Sequence, residues 1–188
     1  MDYMKNQILK ICFIVFINII SSAYAYDKKD IELTKEEFKV FVFFGKIETF
    51  IDGDSFILAD RKVKLWGIEA PQLNQKCYFN NSYFNCGKKS KQFLIEKFSN
   101  KTIACDVQLI LKNNTYVSNC YAYNPRSTEN FRTDGIFIND YLVAKGYAFE
   151  KIKISHGYFS KSNFEAQRTK KGLWFFNIVM PWKIMTQN

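Results

Sequence analysis

The chain has 188 residues and a formal net charge of +9, from 27 Lys and Arg against 18 Asp and Glu. This length fits one domain with a short appendage and argues against two independent cores. With 47% hydrophobic and 18% aromatic residues, the composition excludes a disordered polar chain. The basic excess agrees with binding to nucleic acid or anionic lipid, but a lysine-rich base composition of the gene gives the same total.

The first 25 residues are typical of a secretory signal peptide. Lys5 and Lys10 give a charged start, residues 11–20 are mostly apolar, and Ala23 and Ala25 are small residues before a cleavage site. The apolar stretch is too short to span a bilayer comfortably, so we expect no stable membrane span after cleavage; an uncleaved anchor is the alternative. Removing two lysines and one aspartate from +9 leaves +8 on a chain exported to the periplasm or secreted.

Export also favours disulfide bonds. Cys12 leaves with the signal peptide, and the mature chain keeps Cys77, Cys86, Cys105 and Cys120. Three pairings are open, and the nearest-neighbour pairing closes two loops, each worth about 2.5–3 kcal/mol in the chain-entropy model. A zinc site is the alternative, although no cysteine pair has the knuckle spacing of about two to four residues.

The mature chain begins with a charged lead-in, residues 26–40, and continues with short segments rich in Val, Ile and Phe. Segments 38–47, 55–59 and 62–68 are separated by turn residues and predict consecutive antiparallel strands. Residues 88–98 place apolar side chains at helical spacing between lysines, which predicts an amphipathic helix.

The second half of the chain predicts two more strands and two more helices. In chain order these are strands at 102–111 and 116–123, a polar loop at 124–135, and helices at 139–146 and 161–171 that end at glycines. Five strands and about three helices make an α+β chain. A five-stranded barrel with a helix between its third and fourth strands is the OB-fold arrangement.

Three separated motifs occur in a specific order and spacing. They are Ile51-Asp-Gly-Asp-Ser-Phe56, Val63-Lys-Leu-Trp-Gly-Ile-Glu-Ala-Pro-Gln72, and Asn139-Asp-Tyr-Leu-Val-Ala-Lys-Gly-Tyr-Ala148 followed by Gly172-Leu-Trp174. Together they resemble the staphylococcal nuclease (thermonuclease) family. The resemblance covers a domain at residues 41–182, leaves 183–188 as a tail, and the cysteine segments resemble a secreted bacterial branch of that family.

The resemblance implies an OB-fold barrel and calcium-dependent hydrolysis of phosphodiester bonds in DNA and RNA. In such a site two carboxylates and a backbone carbonyl hold calcium, a glutamate orients the attacking water, and two arginines contact the phosphate. The metal positions correspond to Asp54, Glu69 and the carbonyl of Ala70. Glu69 stands where the family has aspartate and is one methylene longer, so the resemblance implies a weakened calcium site.

The three positions that match the family's catalytic residues are all substituted. Gln72 occupies the position of the family's glutamate, and its amide cannot take a proton. Lys64 occupies the position of the first arginine but lacks the paired donors of a guanidinium. Thr115 occupies the position of the second arginine. Arg126 and Arg132, in the 124–135 loop, are candidates to reach the site instead. A general base raises the rate by a factor of about 10²–10⁴, and a transition-state arginine raises it by about 10³–10⁵. If the two effects add, their loss removes at least roughly 7 kcal/mol of transition-state stabilisation.

We therefore predict an exported, monomeric thermonuclease-like domain that is impaired in catalysis and binds nucleic acid or another polyanion. Lys62, Lys64 and Lys112 are the candidate phosphate contacts, and Tyr116 is a candidate stacking surface.

Two other functions stay open. One is a weak calcium-dependent endonuclease built from Asp54, Glu69 and a loop arginine. The other is an envelope module that binds protein through the 124–135 loop, which the fold alone does not exclude. His156, the sole histidine, follows a serine and is interpreted as an exposed loop residue.

Overall fold

The computed structural model describes residues 41–126 and 130–176. The predicted signal peptide at 1–25, the lead-in at 26–40 and the tail at 183–188 lie outside the described residues, so these boundaries stay predictions. Within the two described ranges, no helix is both long enough and apolar enough to cross a membrane.

The described residues form eleven strands, five α-helices and one 3-10 helix. The strands are β1 (Val42–Gly45), β2 (Ile47–Phe50), β3 (Ser55–Leu58), β4 (Arg61–Leu65), β5 (Ile68–Glu69), β6 (Lys76–Phe79), β7 (Ser82–Asn85), β8 (Thr102–Ile110), β9 (Thr115–Tyr123), β10 (Ile136–Phe137) and β11 (Phe149–Glu150). The helices are α1 (Cys86–Phe98), α2 (Phe131–Asp134), α3 (Ile138–Ala144), α4 (Ile152–Ser155) and α5 (Ser160–Arg168), and the 3-10 helix is Gly172–Phe176.

The main sheet closes into a barrel. Its strand order is β1-β8-β9-β4-β3-β2, with β10 added beside β9. β1 and β2 are halves of one strand interrupted at Lys46; β1 pairs with β8 and β2 pairs with β3, so this strand joins the two edges of the sheet. Counting these halves once gives five barrel strands, with β4 and β9 parallel and α1 between the third and fourth. The predicted α+β OB-fold barrel is confirmed.

Alternate residues of the barrel strands point inward and form the core. Phe56 and Leu58 on β3 and Val63 on β4 are fully buried. Leu94 and Phe98, one turn apart on α1, are buried in the same core cluster. The barrel and α1 therefore share a single apolar interior, as the periodicity of both segments predicted.

Both disulfides follow the nearest-neighbour pairing. Cys77 bonds to Cys86 and Cys105 bonds to Cys120, with S–S distances of 2.04 and 2.07 Å. Cys105 and Cys120 are opposite residues of β8 and β9, and both are fully buried. The zinc alternative is wrong for these four cysteines, and the two bonds indicate a location outside the reducing cytoplasm.

Several short elements were not predicted. One is the β6–β7 hairpin, whose four-residue strands are too short for a clear hydrophobic period. Its turn residues Asn80 and Asn81 both have left-handed φ angles, of 48° and 61°, which is typical of a type I′ turn. The others are the helices α2, inside the predicted polar loop, and α4, the two-residue strands β10 and β11, and the 3-10 helix. Helix α1 also begins two residues earlier than predicted, because the Asn85 side chain caps it by accepting from the Lys88 amide.

A buried asparagine connects the barrel to helix α3. Asn139 is fully buried; its Oδ1 accepts from the Cys120 amide at 3.0 Å. Its Nδ2 donates to the carbonyl of Trp66 at 2.9 Å and to that of Ser118 at 3.2 Å. The side chain therefore holds the turn after β4 against β9, and that turn leads directly to Glu69.

Replacing Asn139 with leucine should destabilise the fold strongly. Asn139→Leu removes the partner of the buried Cys120 amide and of the Trp66 carbonyl, whereas the Ser118 carbonyl keeps the Trp66 amide; we expect a loss of about 2–5 kcal/mol in the free energy of unfolding, measured by urea titration. Asn100→Leu, at an exposed position, is the control and should change stability by less than about 0.5 kcal/mol. Equal stability of the two variants would contradict the role of Asn139.

Candidate functional site

Asp54 is the centre of the site. It lies in the turn between β2 and β3 and is only 1% exposed. Its Oδ1 accepts from Lys64 Nζ at 2.6 Å and from Ser55 Oγ at 3.1 Å. Its Oδ2 accepts from the Ala70 amide at 2.7 Å. Both oxygens of this buried carboxylate are therefore in contact with protein donors.

Lys64 bridges the two carboxylates that match the family's metal positions. The β3–β4 pairing sets Lys64 opposite Ser55, the neighbour of Asp54. From there its Nζ lies 2.6 Å from Asp54 Oδ1 and 3.3 Å from Glu69 Oε1. The lysine ammonium thus stands between the predicted metal ligands.

A second lysine completes the cluster, and the sequence did not point to it. β5 pairs with β11 so that Glu69 lies opposite Phe149. This pairing brings Lys151, which follows β11, to Glu69, where its Nζ lies 3.0 Å from Oε2. The only available signal was its position just after the third motif, since Lys151 and Glu69 are 82 positions apart in sequence.

Burial and charge act against each other in the Asp54–Lys64 pair. Burial raises the pKa of Asp54 to about 7, and the Lys64 ammonium counteracts this rise. Burial by itself lowers the pKa of Lys64, but the charges of Asp54 and Glu69 outweigh it, so this pKa lies above its usual value. The nearby Asp52 carboxylate adds to the rise in the pKa of Asp54 through its charge and a side-chain hydrogen bond, and the Asp54 backbone amide donates to Asp52 Oδ1 at 3.0 Å.

This arrangement does not fit a resident calcium ion, which needs six to eight oxygen ligands. Both Glu69 oxygens and Asp54 Oδ1 contact lysine ammonium groups, and Asp54 Oδ2 accepts from a backbone amide. Across residues 41–126 and 130–176, no three His, Cys, Asp or Glu residues are placed to hold a metal. The set of donors therefore does not support the expected weakened calcium site at Asp54, Glu69 and Ala70.

The remaining catalytic positions lie apart from this cluster. Gln72 is exposed in the segment between β5 and β6, where its backbone amide donates to Gln75 Oε1 at 3.2 Å. Thr115 lies opposite Lys62 on β9 and is 4% exposed, and its hydroxyl has no hydrogen-bond partner in the described part of the chain. Neither side chain can replace the charge of the glutamate or arginine that the family has there.

The candidate nucleic-acid contacts differ in their access to a ligand. Lys62 on β4 and Lys112 in the turn between β8 and β9 are exposed. Tyr116 is half-buried, with its ring centroid 5.8 Å from that of Phe43 and 5.8 Å from the Arg61 guanidinium. The two lysines can meet a phosphate, whereas packing covers much of Tyr116.

The loop arginines are engaged elsewhere. Arg132 Nη2 lies 3.0 Å from Asp106 Oδ2, and its guanidinium is 4.6 Å from the centroid of the Phe131 ring. Arg126 lines a cleft of about 620 Å³ together with Lys46 and Lys101. Among the described residues, the cations that contact the carboxylates of the site are lysines only.

Comparison with known proteins agrees with this fold. A family model described as staphylococcal nuclease homologue matches residues 62–175, which is more than half of the chain and includes the substituted positions Lys64, Glu69, Gln72 and Thr115. Succinoglycan biosynthesis protein ExoI of Rhizobium meliloti (strain 1021) is 25% identical over 126 residues, which make up 66% of this chain and 61% of that protein. This chain thus spans less than two thirds of that relative's length. With its OB-fold barrel and the family match across the site, the chain belongs to the staphylococcal nuclease family.

Proposed function

We propose that this chain is an exported member of the staphylococcal nuclease family that binds nucleic acid and is impaired in cleaving it. The observation that carries the proposal is the Lys64 ammonium between Asp54 and Glu69. Lys64 and Lys151 offset most of the negative charge of Asp52, Asp54 and Glu69, which reduces the repulsion of a phosphate by these carboxylates. The same contacts occupy the oxygens that a metal ion would need.

Cleavage lacks its proton acceptor and its phosphate clamp. A general base must reach the attacking water, and Gln72 offers an amide that takes no proton near neutral pH. Lys64 carries a positive charge, but its ammonium faces Asp54 and Glu69 and lacks the paired donors of an arginine. Thr115 adds no charge. These substitutions support binding without efficient hydrolysis.

Binding is supported by an exposed lysine on the same face of β4 as Lys64 and by a second exposed lysine before β9. Lys62 lies two residues before Lys64 on β4 and opposite Thr115, at the start of β9. Lys112 lies in the turn that leads into β9. Phosphate neutralisation by lysines supplies most of the sequence-independent affinity for nucleic acid.

Export is supported by the two disulfides and by the N-terminal sequence pattern. We propose that the mature protein acts as a monomer in the periplasm or outside the cell. The name of ExoI refers to succinoglycan biosynthesis, so an anionic polysaccharide is the competing polyanion.

Binding to single-stranded DNA should weaken steeply with salt. We expect the logarithm of affinity to fall with the logarithm of salt concentration by about 0.7 for each phosphate contact. Lys62→Ala and Lys112→Ala should each reduce that slope by about 0.7, measured by fluorescence anisotropy, whereas Lys161→Ala on α5 should leave it unchanged. Absence of binding at low salt, or stronger binding to an anionic polysaccharide than to DNA, would contradict the nucleic-acid proposal.

Calcium should neither bind tightly nor induce cleavage. Thermal unfolding of the wild-type protein should show the same Tm with about 10 mM calcium and with a chelator, because a ligand that binds only the folded state raises Tm. DNA incubated with the protein and calcium should stay as intact as with the chelator.

The decisive comparison is with Lys64→Ala, which frees oxygens of both carboxylates. Calcium should raise the Tm of this variant but not that of the wild type. A calcium-induced rise in wild-type Tm, together with DNA cleavage that the chelator abolishes, would instead establish the weak endonuclease.

A further inference from the structure

The β6–β7 hairpin has two different faces. On the inward face, Phe79 and Phe84 pack on Phe176, with ring centroids 5.0 and 4.5 Å from its ring. On the outward face, Tyr78 and Tyr83 are directly opposite residues with ring centroids 5.0 Å apart. Tyr78 is 54% exposed and Tyr83 is 72% exposed. The hairpin is therefore anchored by one face and presents a pair of tyrosine rings on the other.

The tyrosine pair is held in place before any ligand arrives. The Cys77–Cys86 bond joins the hairpin to the first residue of α1. At the tip, the Tyr78 hydroxyl donates to Asn81 Oδ1 at 3.2 Å. Rings fixed in this way lose little conformational entropy when a flat partner stacks on them.

The segment around the hairpin is positively charged throughout. Between Glu69 and Glu96 there are four lysines, at 76, 88, 89 and 91, and no Asp or Glu. Lys76 lies on the hairpin, and Lys88 and Lys89 are exposed in the first turn of α1. The Lys89 ammonium lies 5.5 Å from the centroid of the Phe176 ring, on the anchored side of the hairpin. The helix dipole disfavours a cation at that end, so local helix energetics do not account for Lys88, whereas an anionic partner would.

Helix α1 links the hairpin to the segment between β5 and β6. The backbone of Gly87, on α1, packs so closely on the carbonyl of Gln72 that a Cβ there would collide with it. The Gly87 amide also donates to the Gln75 carbonyl at 3.4 Å. The hairpin, joined to α1 by the Cys77–Cys86 bond, is thus held against the segment that follows Glu69.

We propose that the outward face of the hairpin is a base-stacking platform for single-stranded nucleic acid. Tyr78 and Tyr83 stack on unpaired bases, and Lys76 and Lys88 contact the neighbouring phosphates. Stacking on aromatic rings tolerates any base, and cationic grooves with such rings are the usual design of single-strand binders. This inference rests on the proposed nucleic-acid binding and adds to it the form of the ligand and the residues that select it.

The test is a fluorescence-anisotropy titration of a labelled single-stranded oligonucleotide with the full chain. The double variant Tyr78→Ala with Tyr83→Ala should bind the oligonucleotide about 5- to 100-fold more weakly for each base that stacks on these rings. The slope of log affinity against log salt concentration should stay unchanged, because no phosphate contact is lost. Combined Tyr78→Phe and Tyr83→Phe should bind as the wild type, because stacking needs only the ring. Phe164→Ala, which removes a 62% exposed ring from α5, is the matched control and should have no effect.

Two outcomes would overturn the platform while the proposed function survives. In one, the wild-type protein binds and the double alanine variant, with unchanged Tm, binds equally well. In the other, the double alanine variant loses as much affinity for duplex DNA, whose bases are already stacked, as for the single strand. If the wild type binds neither form at low salt, the proposed function itself fails.

Discussion

The buried carboxylate of Asp54 is the constraint that organises the site. A charge that is 1% exposed needs partners, and Asp54 takes them from Ser55, from Lys64 on β4 and from the Ala70 amide beyond β5. Through Lys64 and Glu69 the chain of contacts reaches Lys151, after β11. Loss of one cation would leave a neighbouring carboxylate without its partner, so these residues behave as one unit.

Within this unit, a tethered ammonium occupies the position predicted for a metal ion. The two differ in what they offer a phosphate. A calcium ion bound by two carboxylates keeps further coordination positions for a substrate, whereas the donors of Lys64 already face Asp54 and Glu69. In the cluster, Lys64 and Lys151 offset most of the charge of Asp52, Asp54 and Glu69, so the exposed lysines around it can attract a polyanion without activating it. The proposed function builds on this offset.

Local sequence signals account for most of the barrel and for the position of Asp54, because alternation, turn residues and motif spacing act over a few residues. The contact between Glu69 and Lys151 could not be predicted in this way, since it depends on the pairing of two-residue strands far apart in sequence. The Lys64 bridge was also missed, because a substituted arginine position indicates lost chemistry and does not show where the new side chain points. The hairpin was not predicted because its strands are only four residues long and place aromatic residues on both faces, which leaves no clear alternation.

The parallel pairing of β4 with β9 sets the order of assembly. Lys64 on β4 lies opposite Val117 on β9, which is 53 positions later in the sequence. One edge of β4, the third barrel strand, therefore stays unpaired until β9, the last barrel strand, is available. Contacts of such long range fold slowly, because the intervening chain must first be closed into a loop. A polypeptide that leaves a membrane pore from its N-terminus would therefore stay open for most of its passage. The topology thus keeps the chain unfolded, and able to pass through the pore, until its last barrel strand has left it.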